Sequence, residues 1–145
     1  MRFKLLTAIG ALVLVTGGSP VSASSTRSGE LHVMKECSQY TGMAGSFCTF
    51  TKSNFAPIKV GSKVFYDQAD GIPAGMLDSN VVLDAGNGNR AVGRCTVDDT
   101  TNLGLCTFSD GTGTFAGFHA RVKVDCTSVC RWDGTYRFGS EDSED

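Results

Sequence analysis

Apolar and polar residues alternate with a period of two along much of the chain beyond Ser46, most cleanly toward its C-terminal end. Across residues 115–125, Phe118, Ala120, Val122 and Val124 alternate with His119, Arg121, Lys123 and Asp125. One apolar and one charged face is the pattern of a strand in a sheet with one wet side. Residues 131–138 repeat it, with Trp132, Gly134, Tyr136 and Phe138 on one face and Arg131, Asp133, Thr135 and Arg137 on the other. Shorter strands are expected over residues 31–36, 46–52, 63–67, 78–84, 90–97 and 103–109. Glycine-rich runs, notably Asp84-Ala85-Gly86-Asn87-Gly88-Asn89 and Asp110-Gly111-Thr112-Gly113, separate them as turns. Helical periodicity with matching caps is not sustained anywhere. About eight short strands read as an all-β barrel or sandwich. The barrel is favoured, because closure removes exposed edges and the 18 glycines of the chain suit tight turns and barrel corners.

The N-terminal segment has a different character. Arg2 and Lys4 precede an apolar run over residues 5–15, then Gly-Gly-Ser-Pro and the small residues of Val21-Ser22-Ala23. Charge, apolar core, helix breaker and small residues form, in that order, a cleavable secretory signal. The run of about 11 apolar residues is too short for a membrane span, which needs roughly 20. Residues 1–23 are therefore expected to be removed, leaving a secreted or periplasmic chain with no membrane association. Residues 24–138 are long enough for one domain with one core. Residues 139–145 carry Glu141, Asp142, Glu144 and Asp145 and read as a solvated acidic tail. The net charge is only −2, and no stripe of Lys or Arg runs between aromatics, so nucleic acid is a poor partner.

All six cysteines (Cys37, Cys48, Cys95, Cys106, Cys126 and Cys130) follow the signal segment. An even count in an exported chain reads as disulfides, and spacing favours local pairs among the many pairings available. Cys95 and Cys106 flank the polar turn Asp98-Asp99-Thr100-Thr101-Asn102. A hairpin centred between Thr100 and Thr101 sets them directly opposite, at a separation of about 4.5 Å in a non-hydrogen-bonded pair, within disulfide reach. Cys37 and Cys48 have the same spacing around Thr41-Gly42-Met43-Ala44-Gly45, and Cys126 and Cys130 close a small loop before the last strand. A zinc site has little support, since no C-x-x-C pair exists and only His32 and His119 could assist. No metal or cofactor is expected.

Several runs carry a family resemblance. Gly93-Arg94-Cys95-Thr96 is followed after the polar turn by Leu105-Cys106-Thr107-Phe108, then by Asp110-Gly111-Thr112-Gly113 and Phe115-Ala116-Gly117-Phe118. With Gly61-Ser62-Lys63-Val64-Phe65-Tyr66 and Trp132-Asp133-Gly134-Thr135-Tyr136, this resembles the bacterial secreted members of the allene oxide cyclase barrel-like group, related in fold to plant dirigent proteins. The resemblance covers most of residues 47–138 and rests on glycines, cysteines and strand aromatics. It implies an eight-stranded antiparallel barrel, here stapled by disulfides, with an apolar cavity and, as often in related families, a homo-oligomeric state. It also implies chemistry of the cyclase or isomerase type, or stereochemical guidance of coupling, on reactive small molecules. It assigns no catalytic residue to a position of this chain.

Cyclisation in a dry lumen needs shape more than nucleophiles: the cavity folds its substrate, and one or two polar groups steady developing charge. Tyr66, Phe118, Trp132 and Tyr136 are the candidate lumen residues, lining such a cavity or packing the barrel solid. His119, with Asp110 or Asp125 as an orienting partner, is a weaker acid–base candidate because it falls on the charged face of its strand. Ser46 and Ser109 lack a G-x-S-x-G setting. Asp84, Asn87 and Asn89 lack the twelve-residue calcium pattern and read as turn residues, as do Asp98 and Asp99. Three functions follow: a carrier holding a small apolar ligand, an isomerase or cyclase using the same cavity, and a solid-core extracellular module acting through its outer surface. A cavity separates the first two from the third, and polar groups converging in it favour the enzyme.

Overall fold

A computed structural model of the chain describes residues 17–18 and 27–139. The expected signal segment, apart from Gly17 and Gly18, and the expected acidic tail beyond Gly139 lie outside the described residues.

Alternation over short segments dictates strands, and the described residues form eight: β1 (Ser28–Glu36), β2 (Phe47–Ser53), β3 (Lys63–Tyr66), β4 (Met76–Asp84), β5 (Arg90–Asp98), β6 (Leu103–Thr112), β7 (Phe118–Asp125) and β8 (Cys130–Phe138). Each pairs antiparallel with its sequence neighbours, and β8 returns to β1, so the sheet closes into a barrel. Because neighbours alternate in direction, the loops fall at two ends. One end carries the β1–β2, β3–β4, β5–β6 and β7–β8 connections. The other carries the remaining loops, the start of β1 and the end of β8.

Expectation and structure differ around residues 110–117. Asp110-Gly111-Thr112 is not a turn but the end of β6, paired with Val92, Ala91 and Arg90 across a register shift between Val92 and Gly93. The reversal comes later, in the short 3-10 turn Gly113–Phe115. Gly117, at φ +73°, then redirects the chain into β7, so the expected strand over 115–125 begins at Phe118. Phe115 is thereby tucked beneath the barrel and packs edge-on against Phe118 at 5.2 Å.

The inward faces supply the core. Phe50, Phe108 and Trp132 meet at mid-height, with Trp132 5.2 Å from Phe50 and 5.7 Å from Phe108 between ring centres. At the end carrying the strand termini, Phe55 from the β2–β3 loop folds in against Phe118, Tyr136 and Phe138 and plugs the barrel. Gly134 lies between Trp132 and Tyr136 on the inward face. A Cβ there would land on the backbone carbonyl of Arg121 in β7, so the closeness of β7 and β8 requires glycine. All six cysteines are bonded as Cys37–Cys48, Cys95–Cys106 and Cys126–Cys130. Cys95 stands opposite Cys106 across β5 and β6 with Cα atoms 4.1 Å apart, in the register centred between Thr100 and Thr101. These pairs suit an oxidising extracellular or periplasmic environment.

Candidate functional site

The end opposite the Phe55 plug is open. A cavity of about 200 Å³ sits in this mouth, walled by Leu77, Val97, Val124, the Cys37–Cys48 and Cys126–Cys130 disulfides, and Tyr66. Polar groups reach it from three levels. Lys35 is at the base, Tyr40 stands at the side, and Asp70 and Asp99 sit at the rim.

Lys35 reaches this position through the strand alternation itself. In β1, Leu31, Val33 and Lys35 all point inward, and Lys35 is only 4% exposed. A bulge accompanies it: Met34 pairs with Lys52 but Lys35 pairs with Phe50, leaving Thr51 without a partner. Bulges often re-aim a side chain beside a functional site. Its ammonium donates to the hydroxyl of Tyr66 and lies 4.7 Å from the Trp132 ring centre. Among the described residues, no carboxylate comes within ion-pair distance of it. Burial alone therefore lowers the amine from 10.5 to about 7.

The surrounding hydroxyls behave consistently. Burial first, and then neighbouring Tyr40, hold the Tyr66 phenol well above its ordinary value, so Tyr66 is a neutral phenol in reach of the amine. Tyr40 meets Tyr66 edge-on at 5.2 Å, and its hydroxyl is buried without a hydrogen-bond partner among the described residues. Burial, followed by the carboxylates of Asp70 and Asp99, pushes that phenol up to about 12. Asp99 is raised by loss of solvent and then by the neighbouring carboxylate of Asp70. An amine, two phenols and a carboxylate pair thus converge on one small space.

The four expected lumen residues are divided between the two ends. Tyr66 lines the cavity, whereas Trp132 lies in the core beneath Lys35 and is not part of the cavity lining. Phe118 and Tyr136 belong to the packed end, where Tyr136 lies 4.3 Å from Phe55. Asp98 acts as the turn residue expected of it, accepting from the Thr100 and Thr101 amides at 2.8 and 3.1 Å. Its neighbour Asp99 instead reaches the rim. Asp84 accepts from Gly86 N and pairs with Arg90, while Asn89 accepts from Thr114 N, which is turn chemistry. His119 has neither suggested partner: Asp125 holds Thr127 and Arg131, and Asp110 accepts from the Gly111 amide. The histidine with carboxylates is His32, 2.8 Å from Asp133 and 3.2 Å from Glu30, on the half-exposed outer surface.

Sequence reasoning missed Lys35, Tyr40, Asp70 and Asp99. Lys35 left one signal, the series Leu31, Val33, Lys35, Cys37 with a lysine on the apolar face. The others come together through loops distant in sequence and left none. In comparisons with known proteins, the chain matches no family model, no curated protein and no solved structure.

Proposed function

We propose that this chain is an exported barrel that takes a small, mainly apolar molecule into the mouth beside Lys35 and acts on it. The observation that carries this reading is the buried polar capacity left unspent in an otherwise apolar cavity. Among the described residues, Lys35 has three donors and one hydrogen-bond partner, and the Tyr40 hydroxyl has none. A buried polar group without a partner costs about 1–3 kcal/mol, and a ligand oxygen between Lys35 and Tyr40 recovers it. Drug-sized ligands occupy pockets of roughly 300–1,000 Å³, so the occupant of about 200 Å³ is smaller.

A carrier needs only the apolar walls. The convergence of amine, phenols and carboxylates favours chemistry on the ligand, in line with the isomerase or cyclase activity that the resemblance to the allene oxide cyclase group implies. The solid-core module draws support from the plugged end, where Phe55 packs against Phe118 and Phe118 against Phe138.

Leu77→Trp tests the reading, since it fills the mouth from its wall. Native mass spectrometry of the secreted, non-reduced protein, joined to fluorescence of the lone Trp132 in titrations with small ketones, alcohols and arenes, reads occupancy in the wild type. Retained mass or saturable fluorescence change in the wild type, lost in a folded Leu77→Trp variant by mass, supports the mouth as the site. Binding that survives Leu77→Trp, or no binding across the panel, turns attention to the outer surface.

A further inference from the structure

We infer that Lys35 captures carbonyl compounds: a small aldehyde or ketone entering the mouth forms an imine with its Nζ, with Tyr66 relaying protons. The inference rests on the mouth being a ligand site and names the class of ligand it takes. Four observations carry it. The amine is the inward-pointing end of a side chain set beside a bulge and borders the cavity. A lysine held for structure alone would be expected to meet a carboxylate or several carbonyls, whereas this one meets a single phenol among the described residues. The apolar walls of Leu77, Val97 and Val124 suit the hydrocarbon part of such a ligand. Finally, Asp70 and Asp99 at the rim repel anions and let neutral carbonyl compounds pass.

Desolvation is a recognised way to make a lysine nucleophilic, and the lowered basicity of Lys35 leaves much of it unprotonated near neutrality. The Nζ lone pair adds to the carbonyl carbon, and one N–H proton passes through the Tyr66 hydroxyl to the former carbonyl oxygen. The second N–H proton follows the same route to the resulting hydroxyl. The C–O bond breaks, water leaves and the C=N bond forms, with no change of oxidation state. A proton taken up from solvent at nitrogen turns this imine into the iminium, which acidifies C–H bonds next to the former carbonyl, as moving a double bond requires. The groups facing Nζ are Tyr66 from β3 and Trp132 from β8, with Tyr40, Asp70 and Asp99 from the loops around the same cavity.

The test uses propanal and sodium cyanoborohydride on the full, non-reduced protein at pH 7. Hydride reduces the imine carbon and fixes a propyl group on nitrogen, and peptide mapping separates each lysine from the α-amino group. Lys35 is expected to be labelled faster than exposed Lys52, Lys59, Lys63 and Lys123 by about tenfold or more. The rate should rise through pH 7, and Tyr66→Phe should slow Lys35 without affecting the exposed lysines. In Lys35→Arg, which keeps a cation but no competent amine, labelling of this segment should vanish. Labelling of Lys35 no faster than the exposed lysines overturns the inference. If ketones and arenes still bind in the mouth, the binding reading survives that failure. If Leu77→Trp leaves their binding intact, the binding reading itself falls.

Discussion

A lysine buried without a counter-charge leaves a signature in the pH dependence of stability. With the folded value lowered to about 7 from 10.5, the unfolded chain holds the proton more tightly through that interval. Stability therefore rises with pH between about 7 and 10.5, while below 7 both states are protonated and the full penalty of the buried charge is present. The rise should be of order a few kcal/mol. Tyr66 works in the opposite sense above pH 10, because its phenol stays protonated in the fold after the unfolded chain has lost that proton. His32 is raised, by Asp133 first and then Glu30. Its contribution is complete below 6.5 and is lost as pH rises through its folded value. Urea midpoints at pH 7, 8 and 9 isolate Lys35: the wild type should gain stability, and Lys35→Met should start higher and show no comparable rise. Equal slopes in both proteins would mean that the amine is solvated. Lys35 was half legible in the sequence. Its register followed from Leu31 and Val33, but only closure of the barrel puts that face beyond water.

Strands were the legible level of this molecule. Eight were expected and eight form, because inward residues such as Val122 and Val124 alternate so regularly with Arg121 and Lys123 that only an extended chain buries one set and wets the other. The turn chemistry was less readable. Asp110-Gly111-Thr112-Gly113 has the composition of a reversal, yet pairing with Arg90, Ala91 and Val92 extends β6 through Thr112. Local composition cannot report what an adjacent strand offers. The Cys95–Cys106 bond was readable because hairpin register alone fixes it, and both cysteines are buried on the lumen side. Replacing both with alanine should cost about 2–5 kcal/mol, read as a lower denaturant midpoint, with a slope that steepens as the uncrosslinked unfolded chain exposes more surface. An unchanged midpoint would show that the closed barrel already restrains this hairpin.

At the scale of the whole molecule, antiparallel closure makes two dissimilar ends from one continuous sheet. Aromatic residues spaced along separate strands do not disclose which end they join, and Phe118 and Tyr136 were expected in the same lumen as Tyr66 and Trp132. Strand direction separates them: Phe118 begins β7 and Tyr136 nears the end of β8, whereas Tyr66 ends β3 at the mouth. Phe118 is fully buried among Phe55, Phe108, Phe115 and Phe138. It contributes to stability, and by this division contributes nothing directly to ligand binding. Phe118→Ala should therefore cost about 3–5 kcal/mol of stability. Under conditions where the variant remains folded, its affinity for a mouth ligand should stay within about threefold of the wild type, the scatter allowed to distant independent sites. Leu77→Trp should do the reverse, closing the mouth at modest cost in stability. A large loss of binding in folded Phe118→Ala would mean that the core around Trp132 transmits changes between the ends. The plug would then be part of the site, and the barrel would bind as one lumen.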